Sequence, residues 1–461
     1  MSESARKSTE QRRRALIQTS LFLLALILRL SLFLVASGDE SRFIRPDTPK
    51  YIRPAINLVD HGSFSASLEQ PYEPEFKIAP GFPAFILAVF SIFGRSITLV
   101  ALVLLIIDST VPVILFRIGE RFRSWKVGTA AGVLYAVNLL CIISCQHVLS
   151  DSLFTFFLSL QILFYLRFFR EGRTRDLIVT VIVLGIMTLI RPTASYWIFI
   201  LLGILLFKRP LPGNRRLSRI FISALIFAAI CSPWIARNVH QGAGFRLVTN
   251  SDKLIRYDFA AAVEAELTGI PAGKIRTEWK ESDLELFESN PTLYPDENAR
   301  ATYKRGKGLE TIKQHPLVFI KLSARPYALF PAIDAFYEHI GVSAGGKGTL
   351  DILTRKGSWA AVDHYFDGKT WLLIPVIPWV LILGLTYLAC IRGLFICFRE
   401  RAWDALLSFA FFALYYIALL GPLTLSRYRL PAMPAIVLMA GLGLTLWKKK
   451  LPGNAVLNVK K

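Results

Sequence analysis

The chain is poor in the residues that soluble enzymes use for metal and redox chemistry. Its six histidines (His61, His147, His240, His315, His339 and His364) are scattered, and none has the spacing of a metal-binding helix. Its five cysteines (Cys141, Cys145, Cys231, Cys390 and Cys397) lie in or at the ends of apolar runs, which argues against a disulfide framework or a thiolate metal site. No glycine-rich phosphate loop is present. GKG at 346–348 is too short to count, so a nucleotide-sugar site on the cytoplasmic side has no support. Internal repeats and low-complexity linkers are also missing. Acidic residues are scarce, 33 Asp and Glu against 54 Lys and Arg, a net charge of +21. In a soluble protein that excess would suggest nucleic acid. Here 53% of the residues are hydrophobic, and apolar runs of about 16–25 residues recur from end to end, the length that crosses a bilayer as a helix. The basic residues cluster between those runs, where they set topology, so no nucleic-acid partner is implied.

The fold class expected is an all-α polytopic membrane protein. Residues 1–14 are basic and precede an apolar run too long for a signal peptide, so 15–37 reads as a retained first span with its N-terminus inside. Further crossings are expected at 97–117, 127–147, 152–168, 177–190, 193–207, 220–236, 371–391, 403–423 and 432–447, with 80–94 a short or re-entrant helix. With about ten crossings, the large basic clusters at 117–126, 167–175, 208–219, 391–401 and 447–450 all fall on the inner side. Residues 239–370 contain no convincing span. They read as a folded outer segment of mixed structure, with an interfacial helix over 316–336. The chain thus divides into an N-terminal transmembrane module, 1–240, with its first outer loop at 38–79; an outer segment, 241–370; and C-terminal transmembrane helices, 371–461.

The outer side collects Asp47, Asp151, Arg191, Arg237, Arg427 and Arg429, all at helix ends or in loops. Asp47 opens a short amphipathic stretch that continues through Tyr51, Ala55, Leu58 and Val59. Thr48 or Asp47 can cap it, Pro49 suits its first turn, Pro54 should kink it and Gly62 can stop it. The plainer reading makes Asp47 a helix cap and each arginine a headgroup anchor. The chemical reading notes that arginine grips phosphate with two parallel donors and that a carboxylate is the usual base for a hydroxyl. Together they suit group transfer from a lipid phosphate at the membrane surface. A transporter or flippase of a lipid-linked saccharide is the rival reading. It needs ionisable groups at mid-membrane, for which Arg29 and Asp108 are the candidates.

PDTPKY (46–51), APGFPAFILAVFSIFG (79–94), LSDSLFTFFLSL (149–160), LIRPTA (189–194), SPWIARN (232–238) and RYRLPAMP (427–434), in this order, resemble the motifs of the GT-C glycosyltransferase superfamily. The nearest pattern is that of protein mannosyltransferases, lipid A aminoarabinose transferases and rhizobial lipopolysaccharide transferases. Thr48 replaces a serine and Phe82 a tyrosine of that pattern, and Pro54 departs from it. The resemblance covers about 15–240 and 400–447 and leaves 241–370 unmatched. It implies a bacterial inner-membrane enzyme with a periplasmic or exterior active site. Its donor would be a sugar on a polyprenyl phosphate, and its acceptor a glycan, lipid or protein that the sequence does not specify. It also implies no organic cofactor, and the need for a divalent metal stays open. By the same resemblance Asp47 would be the general base and Asp151 the second acidic residue. Arg191, Arg237, Arg427 and Lys77 would hold the donor phosphate, and Tyr51 and Arg429 would contact substrate.

Overall fold

The computed structural model describes residues 3–207, 213–324, 329–342, 349–423 and 425–445. Among the described residues there is no strand, so the regular elements of 241–370, expected to be an outer segment of mixed structure, are helices joined by loops. The membrane part contains α1 (Glu3–Ala36), α2 (Thr48–His61), α3 (Gly81–Phe93), α4 (Ile97–Ser109), α5 (Val111–Phe122), α6 (Trp125–Ala136), α7 (Leu139–Ser144), α8 (Ser150–Glu171), α9 (Thr174–Ile190), α10 (Trp197–Phe207) and α11 (Gly213–His240). The segment that follows contains α12 (Asn250–Leu254), α13 (Ala261–Thr268), α14 (Ala272–Ser289), α15 (Glu297–Gln314), α16 (Pro316–Ser323), α17 (Ile333–His339), α18 (Thr349–Lys356) and α19 (Ser358–Tyr365). The chain then returns to the bundle through α20 (Ile377–Arg399), α21 (Trp403–Ala418) and α22 (Met433–Thr445).

Six helical stretches are long and apolar enough to cross a bilayer: Ser8–Ala36, Ile97–Phe122, Ser150–Glu171, Arg216–His240, Thr370–Arg399 and Ser426–Thr445. The remaining expected crossings coincide with shorter helices. The segment 80–94 is a helix of 13 residues, roughly 20 Å at 1.5 Å per residue, well short of the bilayer core. The single interfacial helix expected over 316–336 is instead broken. α16 ends at Ser323, 325–328 lie outside the described residues, and α17 begins two residues after Pro331, which has no N–H to continue a helix.

α22 sits at the centre. Every residue from Met433 to Gly443 is buried, as expected of a helix apolar on all sides and surrounded by others. Glycines let its neighbours come close. A Cβ on Gly443 would collide with the carbonyl of Ala389 on α20, and one on Gly441 would stand 2.7 Å from the Val127 carbonyl oxygen on α6. Without a hydrophobic drive between helices in lipid, such backbone approach is a main source of their attraction. Gly443→Val should therefore cost roughly 1–3 kcal/mol by overpacking. It should lower the midpoint of thermal unfolding in detergent, while Gly203→Ala, in open space, leaves it unchanged.

α8 sets the polarity of the bundle. Its 22 residues span roughly 33 Å. At its C-terminal end Arg170 donates to the Phe122 carbonyl at 3.2 Å, and Arg219 reaches the Gly172 carbonyl at 2.7 Å, which gathers three basic loops. Asp151 lies in the first turn at the other end.

Candidate active site

The loop before α2 is laid against the loop before α8. Val148 N donates to the Phe43 carbonyl at 3.0 Å. The buried Thr48 hydroxyl donates to the Val148 carbonyl at 3.0 Å and accepts from Arg45 N at 2.9 Å. Arg45 extends the junction to α17 through Glu338 and the Ala335 carbonyl, and also contacts His147. Thr48 is thus spent on docking α2, not on capping it.

Asp47 does not cap the helix either. It occupies the cap position, but its side chain makes no capping hydrogen bond. Its carboxylate instead accepts from Arg427 Nη2 at 2.5 Å and from Lys50 Nζ at 2.6 Å. Burial opposes its ionisation, but the hydrogen bonds and charges of Lys50 and Arg427 outweigh burial and hold its pKa at about 2. The helix runs through Pro54 to His61, and Gly62, at φ +65°, supplies the left-handed stop.

Asp151 is 2% exposed. The helix dipole of α8 favours its charge, and Arg191 Nη2 stands 2.9 Å from its Oδ1. Arg191 ends α9 in extended backbone, as Pro192 requires of the residue before it, and this turns its side chain out of the helix line. Its Nε also donates to Ser150 Oγ at 3.1 Å, and that hydroxyl lies 3.5 Å from the Tyr51 hydroxyl. Arg427 feels the charge of Asp151 as well as that of Asp47. The structure therefore brings Asp47, Asp151, Arg191, Arg427 and Tyr51 into one cluster at one end of the bundle. One buried atom in it, Arg427 Nε, has no hydrogen bond. Buried polar atoms left in that state are costly and point to a missing partner.

Three of the expected residues lie elsewhere. Arg237 donates to the carbonyls of Glu75 (2.9 Å) and Phe64 (3.2 Å) and to Asn238 Oδ1 (2.9 Å), so it ties down the loop between α2 and α3. It also lines an apolar cavity of about 280 Å³ between α2, α3 and α11, walled by Leu58, Pro83, Leu87 and Trp234. Neither carboxylate lines that cavity. Arg429 is turned inward, 1% exposed, and donates to the Phe330 carbonyl at 3.0 Å. Lys77 projects from the foot of α3 with its side chain exposed.

Sequence reasoning missed Ser150 and the second job of the Pro-Gly-Phe-Pro stretch. A Cβ on Gly81 would come within 2.7 Å of the Leu189 carbonyl group, so only glycine lets α3 sit against the end of α9, beside Arg191. Phe82, fully buried, packs edge-on to Tyr51 at 5.0 Å. The adjacency of Ser150 to Asp151 was the only available signal for it. The mid-membrane pair is accounted for differently. Arg29 Nε donates to Asp108 Oδ2 at 2.8 Å, Tyr135 donates to Asp108 Oδ1 at 2.9 Å, and both charged side chains are fully buried, locked to each other rather than lining a path.

The fold of this helical bundle is similar to those of solved membrane glycosyltransferases, and the likeness is measurable. The archaeal oligosaccharyltransferase AglB from Archaeoglobus fulgidus, solved with an inhibitory peptide and a dolichol-phosphate, matches with a TM-score of 0.50 at 12% identity, over 93% of this chain and 50% of its own. This chain thus spans about half the length of that protein. ArnT from Cupriavidus metallidurans, solved bound to undecaprenyl phosphate, matches with a TM-score of 0.43 at 14% identity, over 92% of this chain and 76% of its own. In sequence, residues 77–236 match the family described as dolichyl-phosphate-mannose-protein mannosyltransferase. The match covers about a third of the chain, including Lys77, Asp151 and Arg191, and ends one residue before Arg237. No curated protein matches the sequence.

Proposed function

We propose that the chain is a GT-C glycosyltransferase that moves a sugar from a polyprenyl-phosphate donor to an acceptor hydroxyl on the outer face of the membrane. The observation that carries this reading is the Asp47–Arg427 pair, with Arg427 Nε unfilled and Asp151–Arg191 alongside. The family match and the fold support the class of reaction. The basic loops at the far end of α8 support an outward-facing site by the positive-inside rule. The sugar, the acceptor class and any role in lipopolysaccharide or protein mannosylation are further specifications of this proposal.

The residues divide the chemistry as follows. Arg427 and Arg191 take the donor phosphate, which leaves with the electron pair of the glycosidic bond. Asp47 accepts the proton of the attacking hydroxyl. At rest, Lys50 and Arg427 make Asp47 a weak base. A phosphate arriving at Arg427 competes for that guanidinium and returns basicity to Asp47 when the donor is in place. Asp151 keeps Arg191 and Arg427 charged and oriented. The cavity beside Arg237 suits the first isoprene units of the lipid.

Binding of undecaprenyl phosphate to purified protein tests the phosphate role directly. Arg427→Gln should weaken it at least about tenfold, as loss of a charge-assisted contact does. Equal affinity in the variant would remove Arg427 from the donor site.

A further inference from the structure

Ser150 opens α8, fully buried, and its hydroxyl is used unlike the others nearby. Thr155 and Ser159 on α8, and Thr180 and Thr188 on α9, each donate to the carbonyl four residues back, at 2.7 to 2.9 Å. Ser150 has no helical turn before it to bond back to, so its side chain is open to a distant partner. That partner is Arg191 Nε, at 3.1 Å. A guanidinium carries donors only, so Ser150 Oγ is the acceptor. Its own proton is left over, with the Tyr51 hydroxyl 3.5 Å away. Tyr51 is in turn held edge-on by Phe82.

Ser150 and Asp151 are neighbours in the chain, and they share one guanidinium. Nε and Nη2 of an arginine lie on the same edge, which a carboxylate can take with both oxygens at once. Here that edge is divided. Ser150 holds Nε, and Asp151 Oδ1 stands 2.9 Å from Nη2. The carboxylate is thereby kept to one leg of the fork. Among the described residues Arg191 Nη1 makes no hydrogen bond, and 22% of the side chain stays exposed. The ring of Phe154, with its centroid 5.8 Å from the guanidinium carbon, adds a further restraint. The guanidinium is therefore fixed along one edge and open at its Nη1 end.

We propose that Ser150 is a positioning residue for the lipid-phosphate donor. By occupying Nε it stops Asp151 from closing a two-legged pair with Arg191, and so keeps the Nη1 end available to phosphate. This rests on the transferase reading above. Ser150 acts through Arg191, not on the substrate. The energetics set the sign of its effect. Without the hydroxyl, Nε loses its acceptor, and an unmet donor costs more than the hydrogen bond itself. The nearest repair is Asp151, since a carboxylate accepts two parallel donors from arginine. The guanidinium then turns onto the carboxylate, and an arriving phosphate must compete with a stronger pair. Removing the hydroxyl should thus weaken donor binding while leaving the empty protein as stable as before, or more so.

The test is calorimetric binding of undecaprenyl phosphate to the full chain in phosphatidylcholine nanodiscs, with thermal unfolding of the empty protein alongside. Ser150→Ala should weaken binding about tenfold, the worth of a hydrogen bond to a charged group, with the unfolding midpoint unchanged or raised. Ser150→Cys, nearly the same size but a weak acceptor, should weaken it likewise. In an Arg191→Gln background, Ser150→Ala should cost less than about a further twofold, because the group it positions is gone. A serine that only supports the fold would give additive losses and a lower midpoint, and either result overturns the proposal. Wild-type affinity in the cysteine variant would overturn it too, since size alone would then suffice. If Arg191→Gln weakens binding and Ser150→Ala does not, Ser150 loses its role and the donor site stands. If Arg191→Gln binds as tightly as wild type, Arg191 is not at the donor phosphate, and the role of Ser150 falls with that reading.

Discussion

Asp47→Asn should lose about 10²–10⁴-fold in transfer rate, the usual worth of a general base. In the proposed reaction the leaving group would be a lipid phosphate, which departs readily, so the acceptor hydroxyl would be the reactant that needs help. Asparagine keeps the shape of the side chain but cannot take the proton. The fold should survive, because Asp47 makes no capping bond to lose and its ion pairs with Arg427 and Lys50 are partly exposed. The measurement is release of undecaprenyl phosphate from a polyprenyl-phosphate sugar by purified, monodisperse protein. A rate within about threefold of wild type, far below the worth of a base, would sink the assignment. The pH profile adds a second reading. The pKa of Asp47 is lowered from 3.8 to about 2, so its ionised form is favoured in the folded protein. Its stabilising contribution is complete above pH 3.8 and is lost only as pH falls through about 2. Between pH 4 and 8 Asp47 should therefore add no acid limb to kcat/KM, which reports the free enzyme. Lys50→Ala should move its pKa upward.

Asp108→Ala should cost about 3–5 kcal/mol, because it leaves Arg29 charged, fully buried and without its counter-ion. The folded fraction recovered in detergent should collapse. Replacing both partners, Arg29→Met with Asp108→Leu, removes charge and counter-charge together and should restore most of it. Thermal unfolding and size-exclusion profiles of the three variants check this. A stable Asp108→Ala protein would mean the pair is not the lock its geometry describes. The double variant also separates the transferase from a transporter. Transfer should persist in it, whereas transport through a mid-membrane ion pair should not.

Most of the bundle was legible in the sequence because span length and basic clusters are local signals. The cluster was partly legible for the same reason. Asp47, Asp151, Arg191 and Arg427 each stand at the end of an apolar run, and ends that share a side of the membrane can meet. What could not be read was which of them do meet. Arg237 and Arg429 obey the same rule of position, yet their guanidinium groups are taken by backbone carbonyls contributed by distant loops. Nothing in SPWIARN or RYRLP distinguishes a guanidinium that binds carbonyls from one that faces a carboxylate. The helices of 241–370 were obscured for a related reason. They are largely polar and braced by specific ion pairs, so no strong 3.6-residue period marks them.

The central place of α22 bears on how the molecule is made. It follows every other described helix in chain order, yet it fills the middle of the bundle, and the stretch that leads into it carries Arg427. Helices inserted earlier must keep a slot for it, lined by α6 and α20, until it arrives. Until then Asp47 lacks the guanidinium that completes its site. Biogenesis thus couples completion of the core to completion of the Asp47–Arg427 pair. A nascent chain stalled before Ser426 would expose glycine-lined helix faces inside the membrane, the kind of surface on which membrane quality control can act.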